Sequence, residues 1–341
     1  MAVTIQQIAE KAGVSRGTVD RALNKRGRIN PDVAKEIEKI AEELGYVHKP
    51  RKKKTNYGGK IKLGVVTQLS KASFMLEVNR GIQTAVKELS SLGIEVVIKE
   101  RESVGEEDQL MALEELMKEE IRGLAIMPVD SEKVRAKLNE MIYEKKIPVV
   151  TFNSDIVGTG RSCFVGMDNK KSGRVAAGLM GMLTRGTGKV LIITGYFSSL
   201  LNNQRVDGFV EEMKRSSPEL EIAGVQGSFN DADEVEHIIE NAMINIAGIN
   251  SIFVVSGGQE GIKRAFDKLG LERRPYAIIY DQTPKNERLL QEEIADFLID
   301  QNGFEQGYRP LRLLADHLLN EEEIKQEYYY TGLNIKTKYN L

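Results

Sequence analysis

The stretch from Val3 to Tyr46, VTIQQIAEKAGVSRGTVDRALNKRGRINPDVAKEIEKIAEELGY, carries three helix signals in succession. Thr4 followed three residues later by Gln7 is a capping box, in which each side chain satisfies a backbone amide of the other. Ile5, Ile8, Ala9 and Ala12 then form one apolar stripe, and Gly13 ends the helix. Ser15 is placed to cap a second helix whose inward residues are Val19, Ala22 and Leu23. Asn30 and Pro31 open a third, with Val33, Ile37, Ile40, Ala41 and Leu44 facing in. Two short helices joined by a tight Gly-Val-Ser turn and braced by a third make a helix-turn-helix unit.

The second helix leaves Arg16, Gly17, Asp20, Arg21 and Asn24 outside. A helix of this kind presents its N-terminal side chains to base edges in a major groove. Arg16 and Arg21 each offer a guanidinium fork to guanine or phosphate, while the helix N-termini at Thr4 and Ser15, with Thr18, can donate to phosphate oxygens. A small bundle with a solvated charged face would share the pattern. The residues Thr4-Ile5, Ile8-Ala9, Ala12-Gly13-Val14-Ser15, Thr18-Val19, Arg21, Asn24 and Leu44-Gly45-Tyr46 go further. In them the stretch resembles the DNA-binding head of the lactose-repressor (LacI/GalR) family. The resemblance implies that Arg16, Gly17 and Arg21 fill the base-reading positions, and Asn24 and Arg28 are counted with the DNA face. Gly17 departs from the family in lacking a side chain. Asp20 departs too, since it would repel a phosphate where Ser or Thr is usual.

From Met1 to Lys62 there are 15 Lys and Arg against 7 Asp and Glu, a net of +8 in a chain of net −2. A basic head on an acidic body favours contact with double-stranded DNA at one end only. The 341 residues suffice for more than one domain. No run approaches the roughly twenty apolar residues of a membrane span, and no apolar signal-peptide core opens the chain. A cytoplasmic protein is therefore expected. The single cysteine, Cys163, lies in the apolar run SCFVGM and reads as a buried packing residue.

Residues 48–60, HKPRKKKTNYGGK, combine a proline, a basic run and a glycine pair with no apolar period, and mark a linker. In relatives this segment is a hinge helix with a leucine wedged into the minor groove. Here Thr55 stands near that position, so no wedge is expected. Arg51, Lys52, Lys53 and Lys54 serve either to neutralise phosphates or as a solvated tether.

From Ile61 onward short apolar runs alternate with amphipathic helical patterns. The strands are expected at 61–66, 94–100, 123–129, 148–153, 162–167, 189–195, 251–257, 276–281 and 294–300. Helices between them predict a doubly wound parallel α/β fold, and the number of units predicts two lobes around a cleft. Lobe 1 is expected at 61–158 with 302–323, and lobe 2 at 159–301 with 324–341. The strand ends deliver Gln68 and Phe74, then Asn153, Ser154 and Asp155, then Tyr196, Asn202 and Asn203, then Ser256, Asp281 and Gln301. Such residues are turn formers individually. Together, at the carboxyl ends of parallel strands, they suit a polyhydroxylated ligand.

Val149-Thr151-Phe152, Gly166-Asp168-Asn169 with Gly173, Arg205, Gly208-Phe209, Phe253, Asp281 and Gln301 extend the resemblance to the effector domain of the same family. That domain has the periplasmic sugar-binding fold, and the ribose- and galactose-binding branch is the most similar. The resemblance implies ligand contacts at Phe74, Asn153, Ser154, Asn203, Ser256, Asp281 and Gln301. This branch often has Asp-Arg at Asn153-Ser154 and Arg at Asn203, so ribose itself is not implied. With no Trp in the chain, stacking falls to Phe74, Tyr196, Phe197 or Tyr280. The three histidines, His48, His237 and His317, form no catalytic or metal-ligating pattern, and no cofactor motif stands out. The expectation is a DNA-binding homodimeric regulator, a repressor, answering to a small sugar-like effector, and not an enzyme. A purine, a phosphosugar or a protein partner as effector, or a transport receptor, are the alternatives.

Overall fold

The computed structural model describes residues 3–23, 29–46 and 61–341. The chain divides into two compact units, Met1–Lys54 and Thr55–Leu341. The linker, with Arg51, Lys52, Lys53 and Lys54, and the head residues Asn24 and Arg28 lie outside the described residues.

In the first unit α1 spans Ile5–Ala12, α2 Arg16–Leu23 and α3 Pro31–Glu43. The capping box is formed on both sides, Gln7 N–H donating to Thr4 Oγ1 and Thr4 N–H to Gln7 Oε1. Gly13 closes α1 in the left-handed conformation at φ 64°, where glycine carries no Cβ penalty. Ile8, Ala9, Val19, Ala22, Ile37, Ile40 and Ala41 form the core of this unit. All three helices contribute to it, as each is too short to be stable alone.

The second unit contains two six-stranded sheets of matching order. In lobe 1 the strands are β1 (Ile61–Thr67), β2 (Ile94–Glu100), β3 (Gly123–Ile126), β4 (Val149–Phe152), β5 (Cys163–Gly166) and β11 (Tyr328–Tyr330). In lobe 2 they are β6 (Gly188–Thr194), β7 (Leu220–Gly227), β8 (Ile249–Val254), β9 (Tyr276–Tyr280), β10 (Phe297–Asp300) and β12 (Asn334–Lys336). The orders are β11-β5-β4-β3-β1-β2 and β12-β10-β9-β8-β6-β7. All pairings are parallel except that of β12 with β10. Alternate residues face opposite layers: Ala125 and Met127 pack towards α4 (Met75–Ser91) and α12 (Gly303–Asn320), Leu124 and Ile126 towards α5 (Glu106–Lys118) and α6 (Glu132–Tyr143). In lobe 2 the corresponding layers are α7 (Asn169–Thr184) with α8 (Leu200–Ser216), and α9 (Ala232–Asn245) with α10 (Glu260–Leu269) and α11 (Pro284–Gln291).

The expected lobe boundaries require correction. Cys163–Gly166 pairs with β4 and so belongs to lobe 1, not lobe 2. Tyr328–Tyr330 returns to the same sheet beside β5, so the tail after residue 323 is shared between the lobes. β7 was not anticipated, because its side chains are mostly half-buried or exposed and give no continuous apolar run. Cys163 is fully buried, and loss of solvation pushes its thiol up to about 12.

Candidate nucleic-acid face and ligand cleft

In the first unit Ser15 caps α2 by accepting from Thr18 N–H at 3.1 Å, and its hydroxyl also bonds that of Thr18 at 2.9 Å. Val19 and Ala22 turn into the core, so Arg16, Gly17 and Arg21 are left on the exposed face. Among the described residues neither guanidinium is held by a hydrogen bond or ion pair, and both remain available to an external acceptor. A Cβ on Gly17 would meet only Ser15 Oγ, at 3.7 Å. Packing within the head therefore does not demand glycine there. Thr4, also exposed, stands at the N-terminus of α1.

In the second unit the carboxyl ends of the two sheets converge on a cavity of about 510 Å³. Lobe 1 contributes Gln68, Phe74, Asn153, Ser154 and Asp155; lobe 2 contributes Tyr196, Asn202, Ser256, Asp281 and Gln301. Asn203, expected among them, is not part of this lining. Its carboxamide donates instead to the Phe197 carbonyl at 2.9 Å and holds the loop that opens α8. One residue of helical rotation is decisive: Asn202, buried, faces the cavity. Phe197 and Tyr280 also fall away from the cavity lining. Phe197 is exposed, and Tyr280 lies fully buried beneath it. Phe229, which follows the unanticipated β7, is the aromatic that sequence reading missed. It lines the cavity and meets Tyr196 edge to face at 5.6 Å.

The polar floor belongs to lobe 2. Arg205, 2% exposed, donates to Asn169 Oδ1 at 3.0 Å, the Val255 carbonyl at 2.8 Å and Gln301 Oε1 at 3.2 Å. Its guanidinium lies 4.0 Å from the centre of the Tyr280 ring. Gln301 Nε2 in turn donates to Asp281 Oδ1 at 2.6 Å. Burial pushes the Asp281 carboxyl above the usual carboxylate range, although Arg205 and the Gln301 hydrogen bond pull against it. Burial also lowers Arg205 below the ordinary guanidinium value. Asp281 is presented by a left-handed backbone at φ 72° after β9, and Asn153 by one at φ 62° after β4. Asn and Asp tolerate this conformation better than other side chains.

Gln306, fully buried in α12, joins the lobes. It accepts from Asn153 Nδ2 at 3.0 Å and donates to the Gln301 carbonyl at 2.9 Å. Gln68 donates to Ser154 Oγ at 3.4 Å, but its Oε1 is buried with no partner among the described residues. A buried amide oxygen left unpaired costs about 1–3 kcal/mol, so the cavity is short of a donor that a ligand hydroxyl can supply. Asp155 differs from expectation in a second way. Both its oxygens are engaged, accepting from Thr151 Oγ1 at 2.7 Å and from the Arg161 guanidinium twice at 2.6 Å. It is a braced ion pair at the rim and not a free acceptor. Among the described residues no group of three or more His, Cys, Asp or Glu could hold a metal, and no helix is long and apolar enough to cross a membrane.

Residues 4–49 match the family described as bacterial regulatory proteins, lacI family, and residues 63–322 match the periplasmic binding protein domain. The probable HTH-type transcriptional regulator EndR of Paenibacillus polymyxa is 22% identical over 96% of this chain and 94% of its own length. The probable HTH-type transcriptional repressor ExuR of Bacillus subtilis is 26% identical over 62% of this chain and 60% of its own. Among solved structures, GanP, a glucose-galactose binding protein from Geobacillus stearothermophilus, superposes with a TM-score of 0.75 at 22% identity, covering 82% of this chain and 98% of GanP. A solute-binding protein from Burkholderia graminis in complex with D-arabinose gives 0.77 at 21% identity, covering 84% and 98%. At these identities the structural likenesses establish the fold. With its N-terminal family match and a full-length relative of the same kind, the chain belongs to the LacI family of transcriptional regulators, a helix-turn-helix DNA-binding head followed by a periplasmic-binding-protein-like effector domain.

Proposed function

We propose that this regulator is a repressor whose homodimer binds a palindromic operator in the cytoplasm and is switched by a small sugar in the cleft, with no catalytic step. The observation that carries the effector class is the cavity itself. Amides, hydroxyls and carboxylates from two lobes surround it, with Asp281 at its floor, Phe74, Tyr196 and Phe229 at its sides and a Gln68 oxygen inside that has no partner among the described residues. Amides and carboxylates take pairs of sugar hydroxyls, and aromatic faces cover the C–H side of a ring. GanP and the D-arabinose complex lend support, since proteins of this fold are named for such ligands. The switch is a population shift. A ligand touching both lobes favours their closed arrangement by its differential affinity for it.

Thr4, Ser15, Arg16, Gly17, Thr18 and Arg21 form the described part of the proposed DNA face. Arg21→Ala is expected to cost about 1–3 kcal/mol of specific operator affinity and to leave ligand binding intact. Differential scanning with pentoses, hexoses, polyols, phosphosugars and purines tests the effector class. A cognate ligand at a hundredfold over its Kd stabilises by about 2.7 kcal/mol. A purine that raises the midpoint where no sugar does would overturn the sugar assignment.

A further inference from the structure

A second cavity, of about 300 Å³, adjoins the first and shares Asn153, Asp155, Leu200 and Leu201 with it. Its outer wall is the Tyr328 and Tyr330 pair of β11. Successive residues of a strand face opposite ways. Tyr329 accordingly packs against the lobe 1 core, while Tyr328 and Tyr330 share the other face and remain 42% and 51% exposed. Their rings are stacked, with centroids 5.6 Å apart and planes within 15°.

This pair is braced from the sugar cleft outward. Thr151 donates to Asp155, Asp155 holds Arg161, whose side chain is 8% exposed, and the Arg161 guanidinium lies 5.1 Å from the centre of the Tyr328 ring. Phe164 meets Tyr328 edge to face at 6.3 Å. The result is a braced, partly exposed aromatic platform with polar neighbours, among them Asp168 and Gln204. A solvent-facing, preorganised aromatic surface continuous with a polar cleft suits a ligand that is apolar on its ring face and hydroxylated at its edges.

We propose that the second cavity is a subsite for a further saccharide unit, so that the effector is a disaccharide or longer, one unit in the main cleft and the next on Tyr328 and Tyr330. The inference rests on the sugar reading of the main cleft. It requires no new charge and no bond chemistry, only stacking and hydroxyl contacts.

Isothermal titration of the full-length protein tests it with matched probes: glucose, galactose, xylose and arabinose against their β-linked and α-linked disaccharides. The expected result is one disaccharide binding at least about tenfold tighter than its constituent monosaccharide. Tyr330→Ala should lower that disaccharide's affinity about three- to tenfold and leave monosaccharide affinity unchanged, while Tyr330→Phe, which keeps the ring, should retain most of it. An unchanged melting midpoint in both variants separates the effect from misfolding. Monosaccharides that bind with no disaccharide binding tighter would overturn the subsite and leave the main cleft standing. Binding by neither class would overturn the sugar reading, and the subsite with it.

Discussion

Asn153 in lobe 1 and Asp281 in lobe 2 occupy matching places. Each follows the fourth strand of its sheet in chain order, each is left-handed, and each donates its N–H to the next strand at 3.0 Å, Asn153 to Val165 and Asp281 to Ile299. The helix layers match as well. A Cβ on Gly81 would lie 2.1 Å from the Phe304 carbonyl oxygen, and one on Gly173 would lie 2.0 Å from that of Arg205, so each lobe packs one helix pair backbone against backbone. What differs is the chemistry at the strand ends. Lobe 1 offers amides, hydroxyls and Phe74, with its cleft-side carboxylates Asp130 and Asp155 already paired to Arg135 and Arg161. Lobe 2 buries Arg205 and leaves Asp281 with one oxygen held by Gln301. Desolvated polar groups cost stability unless satisfied. On the proposed function lobe 2 is therefore the anchor, its polar groups held in place by an internal network, and lobe 1 is the cover.

The largest expected effect breaks that network. Arg205→Met leaves Asn169 Oδ1 and the Val255 carbonyl without their donor and Gln301 Oε1 with Gln306 Nε2 alone, and should cost about 3–5 kcal/mol in urea unfolding. The lobe 1 counterpart, Arg161→Met, lies at the rim and should cost less, about 1–3 kcal/mol. Equal losses would remove the distinction between anchor and cover.

Next come the glycines. Gly81→Ala and Gly173→Ala each force a methyl against a backbone oxygen, and each should cost about 1–3 kcal/mol by the same assay. Similar losses sharpen the likeness of the two lobes, whereas tolerance of one alone would show that their helix pairs are packed differently.

A smaller effect has the opposite sign. Because burial raises the folded Asp281 carboxyl above its unfolded value, the folded protein keeps this proton in a range where the unfolded chain has lost it. Its contribution to stability is present at low pH and is lost as pH rises through the raised value. Asp281→Asn should therefore raise the melting midpoint of the free protein at neutral pH while removing the stabilisation by sugar. Asn153→Asp in lobe 1 should lower the midpoint. The smallest expected effect on ligand affinity is that of Phe74→Ala, which should weaken sugar binding by about 1 kcal/mol in calorimetry.

The head was legible almost residue by residue, because a three-helix unit of this size is built from local signals. Thr4 with Gln7, Gly13, Ser15 and Asn30 each determine a helix end within a few residues of themselves. The parallel sheets were legible where strands are buried on both faces, as in KVLIITG, and where an edge strand keeps an apolar run, as in β2, but not in β7, whose side chains are mostly half-buried or exposed. The lobe boundary could not be read, since β5 stays beside β4 in the first sheet and β11 joins it there by a pairing far away in sequence. In the cleft, strand ends pointed to the right loops, but not to side-chain direction. Asn202 and Asn203 are adjacent in sequence, and only the helix phase decides that the first faces the cavity. Asp155 lay at the right place, yet its pairing with Arg161 depends on a loop conformation that no periodicity records.

The most direct test is fluorescence anisotropy of the full-length chain with the duplex it selects from a random pool, against unselected duplex, with and without the sugar that raises its melting midpoint. At least about a thousandfold preference for the selected duplex is expected at physiological salt, with a change of about 5–150-fold in that affinity when sugar is added. Equal affinity for selected and random duplex, with no response to sugar, would contradict that expectation.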